Sequence, residues 1–248
     1  MKSDSEVRFL FQQNTINQPV RDFVFPVGTV HNGIFSLKGT AFFIGERGFA
    51  VTAAHVTDDL RRGGEPIGLF TDGHEWYPIP VIDMESHPSE DVAVVKLQGN
   101  WHSIIYINPS SEHSSCDYEL WGYPERAATE LRRDATSPEE AESLIRPDLV
   151  YNRGYVRRRL SREFSVSIYR GQAFYELSEV GGSCCSGAPV INHQRTQGPW
   201  PAFAVYIGEE TSEALTAVGY ATRCDSLAQW IPTILGGRLD EQRASSKT

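Results

Sequence analysis

Short apolar runs alternate with turn-forming segments along most of the chain from Phe23 onward. Residues 39–44 and 49–54 are two such runs, and they flank a charged tip bounded by glycines at 45–48. This arrangement predicts a β-hairpin. Further strand-like runs lie at 91–97, 103–107, 118–124, 164–169, 202–207 and 216–221. With 21 glycines and 14 prolines, the chain is expected to form short strands more than long helices.

The strand pattern falls into two halves of similar size. It lapses into a polar connector at residues 108–112, which separates a half at about 20–110 from a half at about 115–223. Together these halves predict a mostly β protein in which residues 1–248 form a single domain.

Four other segments stand apart from the strands. A charged insertion at 125–148 carries a serine cap, a proline and a glutamate at 137–140, which predicts a short surface helix. Residues 225–235 begin like a C-terminal helix that Pro232 kinks. The remaining segments are polar and are expected to be tails, at 1–19 and 236–248.

Composition places the chain among soluble globular proteins. Its 248 residues are 40% apolar and 22% charged, and the formal net charge is −9 with a pI near 5.3. An acidic balance argues against a nucleic-acid partner or an anionic membrane surface, because both require a basic face. No run approaches 18 apolar residues, and the N-terminus lacks the apolar core of a signal peptide. We therefore expect no membrane association.

The cysteines and histidines bear on compartment and cofactors. Four cysteines in a chain of this length do not make a disulfide framework, and none forms a Cys-x-x-Cys metal motif. They are Cys116, Cys184, Cys185 and Cys224. A reducing, cytoplasmic setting follows. The histidines other than His55 lack metal-ligand spacing, so neither a metal nor another cofactor is expected.

Three segments carry side chains of the types that act in catalysis. His55 follows the small residues 52–54 at the end of a predicted strand, and Asp91 opens the strand at 92–97. Ser186 lies in a glycine-rich turn ahead of an apolar strand, in the run Ser186-Gly187-Ala188-Pro189-Val190. Each segment is weak alone, because strand-end histidines, turn aspartates and glycine-rich serine loops are common.

In this order, the three segments resemble the chymotrypsin/trypsin-like peptidase family, whose triad runs His, Asp, Ser along the chain. The spacings agree as well, with 36 residues from His55 to Asp91 and 95 from Asp91 to Ser186. The resemblance covers roughly residues 25–235. It implies an all-β fold of two six-stranded antiparallel β-barrels with a C-terminal helix, and the triad in the cleft between the barrels.

The resemblance also implies the role of each residue. His55 takes the proton of the Ser186 hydroxyl, and Asp91 orients the imidazole and stabilises its charged form. The family's oxyanion hole falls on the backbone N–H groups of Cys184 and Ser186. The chain is therefore expected to be a serine endopeptidase that acts on a protein or peptide substrate.

Two positions depart from the family pattern. Cys184 replaces a glycine, which suggests that the oxyanion hole is distorted at rest and forms when a substrate or an activator binds. Cys185 replaces the acidic residue that secreted relatives pair with a newly cleaved N-terminus. Activation by N-terminal cleavage is therefore not expected. Control by assembly, by a regulatory protein partner or by the insertion at 125–148 is the substitute hypothesis.

Substrate preference is read from the family's usual offsets. Counting back from the serine puts Val180 at the base of the primary pocket, and Gly219 on its far wall. The strand that pairs with the substrate backbone is expected at Tyr206, Ile207 and Gly208. Because no aspartate lies at the pocket base, an apolar or small side chain is expected beside the scissile bond.

Three alternatives remain at this stage. A cysteine nucleophile is disfavoured by register, because the small residues and proline that follow a nucleophile fit Ser186 and not Cys184. A catalytically inactive peptide-binding pseudo-peptidase is the second, and Cys184 in the oxyanion turn is the feature that favours it. The third is an esterase or acyl transferase using the same triad.

Overall fold

A computed structural model gives the fold of this protein. The structure describes residues 20–71, 76–110, 113, 115–127, 147–161, 169–192, 199–211 and 217–243. The surface helix predicted at 137–140 and most of the strand predicted at 164–169 lie outside these residues.

The first barrel consists of β1 (Val24–His31), β2 (Ile34–Ile44), β3 (Phe49–Thr52), β4 (Glu65–Thr71), β5 (Trp76–Ser86) and β6 (Ala93–Leu97). These strands pair antiparallel in the closed order β1-β2-β3-β6-β5-β4. The predicted hairpin is formed by β2 and β3. A helix, α1 (Ala54–Arg62), follows β3 and buries Val56 and Leu60 against the barrel.

The second barrel consists of β8 (Asp117–Gly122), β9 (Val150–Ser161), β10 (Ala173–Leu177), β11 (Pro189–Asn192), β12 (Trp200–Thr211) and β13 (Ala217–Arg223). These six strands run in the order β11-β8-β9-β10-β13-β12, and antiparallel pairing of β11 with β12 closes the ring. The predicted double barrel of two six-stranded antiparallel sheets is confirmed.

One short strand joins the two halves of the chain. β7 (Ile105–Ile107) precedes the polar connector, but it pairs parallel with residues 200–202 of β12. It therefore adds a seventh strand to the second sheet, although the sequence grouped it with the first half.

Apolar side chains fill each barrel and also the junction between them. In the first barrel, Phe43 stacks on Trp101 with ring centroids 5.5 Å apart. The junction cluster takes Phe42 and Val94 from the first barrel and Val205 from the second, all fully buried. Because the junction is packed, the two barrels are held in one relative position.

The C-terminal helix predicted over 225–235 is wrong. The chain forms only a 3-10 helix, Cys224–Leu227, and continues in turns. Pro232 explains the difference, because it lacks an N–H and disfavours helical geometry at the residue before it. The segment instead buries Trp230 and Leu235 in the junction cluster.

The predicted C-terminal tail is ordered in its first part. Residues 239–241 form a 3-10 helix in which Leu239 is 1% exposed. Arg47 holds this segment by donating to the Leu235 carbonyl at 2.9 Å. Within the described ranges, no helix is long and apolar enough to cross a membrane.

Candidate active site

His55 and Asp91 form the centre of the site. The sequence predicted His55 at the end of a strand, but β3 ends at Thr52 and His55 is the second residue of α1. The Asp91 carboxylate binds this residue twice, because Oδ2 lies 2.8 Å from the ring Nδ1 and Oδ1 accepts the backbone N–H at 3.0 Å. Asp91 is 1% exposed, whereas the His55 side chain is 36% exposed. The other ring nitrogen, Nε2, is thus left for a reacting group.

A tight turn just before Asp91 fixes the position of this carboxylate. In this aspartate loop, residues 87–92, the His87 Nδ1 accepts the backbone N–H groups of Ser89 at 3.2 Å and Glu90 at 2.9 Å. The ring therefore requires an unprotonated Nδ1. Burial and the nearby charge of Arg170 both lower the pKa of His87, which keeps this nitrogen an acceptor at neutral pH.

The serine turn, residues 182–187, is attached to the first barrel. Thr40 donates its N–H to the Ser186 carbonyl at 2.9 Å. Gly187 has φ +94, and a Cβ there would lie 2.0 Å from the Thr40 carbonyl oxygen. Only glycine permits this approach. The turn that carries Ser186 thus packs directly on the strands that lead to His55.

The Ser186 hydroxyl has a partner of its own. Its Oγ donates to the Ile207 carbonyl at 2.9 Å. Within the described part of the chain, the hydroxyl makes no hydrogen bond with the His55 ring. The structure therefore assembles the predicted His–Asp contact, and it holds the serine in a different hydrogen bond.

Cys184 adopts the left-handed conformation that the family glycine takes, with φ +68. Its carbonyl accepts the Thr40 hydroxyl at 3.0 Å. The preceding carbonyl, of Ser183, accepts the Glu125 N–H at 2.9 Å. Because the C=O and N–H of a trans peptide point in opposite directions, this bond also fixes the direction of the Cys184 N–H.

The two N–H groups expected to form the oxyanion hole have no partner in the part of the chain that the structure describes. Neither Cys184 nor Ser186 donates its backbone N–H to an acceptor among the described residues. The side chain at position 184 has therefore not cost the turn its free donors. Two such groups, two residues apart in one tight turn, can converge on an oxygen that becomes negative.

The adjacent cysteines differ in their surroundings. All four cysteines of the chain are free thiols. Burial raises the pKa of both Cys184 and Cys185, which disfavours the nucleophilic thiolate. Cys185 is buried in the apolar core of the second barrel, where its Sγ donates to the Gly181 carbonyl at 2.9 Å.

The predicted primary pocket contains a large side chain. The Tyr206 ring lies between Gly219, the predicted far wall, and Gly181, because a Cβ on Gly181 would be 3.0 Å from one ring edge and a Cβ on Gly219 3.2 Å from the other. The Tyr206 hydroxyl accepts the Gly181 N–H at 2.9 Å and donates to Glu209 Oε2 at 3.2 Å. Val180, expected at the base, is partly exposed and holds Asn152 through its carbonyl.

One of the three residues predicted to pair with a substrate backbone, Tyr206, has its backbone groups bound within the protein. Both backbone groups of Tyr206 are occupied, because its N–H donates to Ala188 and its carbonyl accepts the Gly187 N–H. Tyr206 is therefore not available to a substrate backbone. The edge that faces the site lies at Ile207 and Glu209, with Gly208 between them.

Sequence reasoning missed several residues around the serine turn. Thr40, Glu125, Tyr169 and Glu209 each hydrogen bond to groups of the site. Only Thr40 had a signal, since it lies in the Gly39-Thr40-Ala41-Phe42 run that supported the resemblance. The others act through backbone groups that are distant in sequence, and a single chain gives no pattern for such contacts.

A family model of the trypsin-like peptidase domain matches residues 39–197. This region is more than half of the chain and contains His55, Asp91 and Ser186. The chain therefore belongs to the trypsin-like peptidase family. No curated protein sequence matches it significantly.

Solved structures share the fold at low sequence identity. The MamO protease domain from Magnetospirillum magneticum superposes with a TM-score of 0.59 at 14% identity, covering 86% of this chain and 97% of that one. The active form of the Rv3671c protease from M. tuberculosis gives 0.55 at 15% identity, with 84% and 80% covered. The HtrA-type protease AlgW with a decapeptide gives 0.56 at 14% identity, with 82% and 61% covered.

Proposed function

We propose that this chain is a serine endopeptidase that hydrolyses peptide bonds through an acyl-enzyme intermediate. The observation that carries the proposal is the pair of contacts by which the buried Asp91 holds His55, which leaves the ring Nε2 without a partner among the described residues. A carboxylate that fixes one ring nitrogen as a donor makes the other nitrogen a base.

The reaction proceeds in two halves. Ser186 Oγ attacks the scissile carbonyl carbon as its proton passes to His55 Nε2, and the negative oxygen is bound by the N–H groups of Cys184 and Ser186. The C–N bond then breaks as His55 returns the proton to the leaving amine. A water molecule, activated by His55, hydrolyses the acyl-enzyme and regenerates the Ser186 hydroxyl.

The substrate is an extended peptide or protein segment. The edge of β12 at residues 207–209 is a strand edge beside the serine, and such an edge pairs with a peptide backbone. AlgW, which shares the fold, was solved with a decapeptide. Strand pairing favours a peptide over the small esters that the same triad chemistry would accept.

The side chain beside the scissile bond is small. The Tyr206 ring occupies the space between Gly181 and Gly219, so a long side chain has no room there. Glu209 is already bound by the Tyr206 hydroxyl and by the Gly182 N–H at 3.1 Å, which removes it as a free partner for a lysine or arginine. Profiling with a peptide library tests this: cleavage mainly after large or basic residues would contradict it.

Control by a partner or by the insertion at 125–148 rests on Glu125. This residue lies at the start of the insertion, and it holds Ser183 through two contacts, one to its carbonyl and one to its hydroxyl. Movement of the insertion would therefore turn the peptide that carries the Cys184 N–H. The free, adjacent thiols of Cys184 and Cys185 support a reducing compartment, and we propose the cytoplasm.

A fluorophosphonate probe tests the nucleophile, because it forms a covalent bond only with an activated serine. The full chain, Ser186→Ala and Cys184→Ala are treated in parallel, with and without added peptides. We expect labelling of the full chain and of Cys184→Ala, and none of Ser186→Ala. Labelling that survives Ser186→Ala, or that is absent from the full chain under every condition, would overturn the proposal.

The pseudo-peptidase is retained as the second candidate because of one contact. The Ser186 hydroxyl donates to Ile207 and not to His55, so the resting serine is not bonded to its base. A pseudo-peptidase binds peptides with similar affinity with or without Ser186, and it does not react with the fluorophosphonate.

A further inference from the structure

The backbone groups on the strand edge that faces the site already have hydrogen-bond partners within the protein. β11 pairs with β12 only as far as Val205, and beyond it one edge of β12 has no strand neighbour within the described residues. Ile207 and Glu209 face this edge together, since alternate residues of a strand present their backbone groups to the same side. The Ile207 carbonyl already accepts the Ser186 hydroxyl.

Tyr169 occupies the backbone of Glu209 completely. Its hydroxyl accepts the Glu209 N–H at 3.0 Å and donates to the Glu209 carbonyl at 3.2 Å. An incoming peptide strand forms the same two bonds, with one of its carbonyls and one of its N–H groups. Burial raises the pKa of Tyr169, so the hydroxyl keeps the proton that it donates.

The close approach of Tyr169 depends on a glycine. Gly208 has φ +143, and a Cβ at this residue would lie 2.0 Å from the Tyr169 hydroxyl oxygen. The ring also reaches the catalytic histidine, since the centroids of Tyr169 and His55 are 6.0 Å apart. Tyr169 thus lies over the edge and beside the base.

The chain next to Tyr169 is fastened to the aspartate loop. Arg170 donates to the His87 carbonyl at 2.9 Å and to the Glu90 carbonyl at 3.3 Å. In return, the Glu90 carboxylate accepts the N–H groups of Gln172 at 3.3 Å and Ala173 at 3.4 Å. These bonds hold the position of Tyr169 from the first barrel, while its hydroxyl binds the second.

We infer that Tyr169 is an autoinhibitory cover of the peptide-binding edge, and that an extended peptide binds only when the Tyr169 hydroxyl leaves the Glu209 backbone. This inference rests on the proposed function for the identity of the edge. The cover competes with the substrate directly and leaves the His55–Asp91 pair untouched. A segment that draws residues 169–173 away from the cleft would activate the site.

Tyr169→Phe tests the cover, because it removes both hydrogen bonds and keeps the ring. Peptide binding is measured in a Ser186→Ala background, using a fluorescein-labelled decapeptide library with alanine at its centre and fluorescence anisotropy as readout. We expect Tyr169→Phe to tighten binding about tenfold, since two protein hydrogen bonds no longer compete with the peptide. Tyr151→Phe, an exposed tyrosine on β9, is the matched control and should leave binding unchanged.

Two readouts separate the cover from the proposed function. Equal, weaker or absent binding in Tyr169→Phe overturns the cover, because the hydroxyl would then help to bind the peptide or play no part. The fluorophosphonate rate with Ser186 present reports only the hydrolytic chemistry; it is measured in the full chain and in Tyr151→Phe, where it should agree within about twofold. Loss of labelling in every variant overturns the serine peptidase and leaves the binding result to decide the cover.

Discussion

The two halves of the candidate active site differ in what their polar groups already bind. In the half built on the first barrel, Asp91 binds His55 through bonds that the proposed reaction uses unchanged. In the half built on the second barrel, Ser186 and Glu209 are bound to groups that a substrate would have to displace. The half with His55 and Asp91 is thus preorganised for the proposed reaction, whereas in the other half Ser186 and Glu209 are bound to groups within the protein.

This difference follows from the chemistry of each half. A buried carboxylate such as Asp91 requires fixed partners, because an unpaired buried charge is costly. The open edge of a strand also requires partners, but a substrate can supply them. A change of hydrogen-bond partner therefore costs less free energy at the strand edge than at the Asp91 carboxylate.

The largest effect is expected from Asp91→Asn, which tests the preorganised half. The amide retains the shape and an acceptor for the His55 N–H, but it favours the wrong imidazole tautomer. We expect the rate of fluorophosphonate labelling to fall by up to about 10⁴-fold with the fold preserved. Labelling reactions stopped at fixed times measure the rate, and far-UV circular dichroism checks that the fold is preserved. A loss of less than tenfold would show that Asp91 serves the structure of the loop and not the base.

Thr40→Val tests how far the serine turn depends on the first barrel. The Thr40 hydroxyl donates to the Cys184 carbonyl and accepts the Tyr123 N–H, both at 3.0 Å. Valine leaves both groups unpaired, so we expect labelling of Ser186 to slow about tenfold and the free energy of unfolding to fall by about 1–3 kcal/mol. Thr40→Ser keeps the hydroxyl and is the control. Equal labelling rates and equal stabilities of the valine and serine variants would show that the Thr40 hydroxyl does not hold the serine turn.

The sequence predicted the first half of the site better than the second. The pairing of His55 with Asp91 followed from the family resemblance, which rests on the order and spacing of their motifs, although the helix that carries His55 was not predicted. The prediction of a C-terminal helix was wrong, because Pro232 and the burial of Trp230 outweighed the local helix propensity. The occupied strand edge could not be predicted, since Tyr169 reaches Glu209 across 40 residues through a single hydroxyl.

Acid should destabilise the aspartate loop, which belongs to the preorganised half, through protonation of His87. Because the folded state lowers the pKa of this histidine below its ordinary 6.5, its contribution to stability is complete above pH 6.5 and is lost as the pH falls through the lowered value. Glu90, beside it, acts in the opposite direction, since burial raises the pKa of its carboxyl. A single variant is therefore needed to isolate His87.

His87→Asn supplies that comparison. Its side-chain oxygen can accept the same N–H groups of Ser89 and Glu90, but it does not titrate. We expect the urea midpoint of the full chain to fall relative to that of His87→Asn between pH 7.5 and pH 5.5. If the two urea midpoints change in parallel over this range, protonation of His87 does not destabilise the aspartate loop.

The smallest effect is expected at Cys184, where the second half departs from its family. Cys184→Gly and Cys184→Ala both remove the thiol, but only glycine adopts φ +68 without strain. We expect the glycine variant to be more stable by about 0.5–1 kcal/mol, because relief of strain exceeds the entropy that glycine adds to the unfolded chain. Chemical denaturation measures this difference. The rates of fluorophosphonate labelling should agree within about threefold, since the oxyanion donor is the backbone N–H in both variants. A much faster glycine variant would mean that the side chain at position 184 restrains the oxyanion hole at rest.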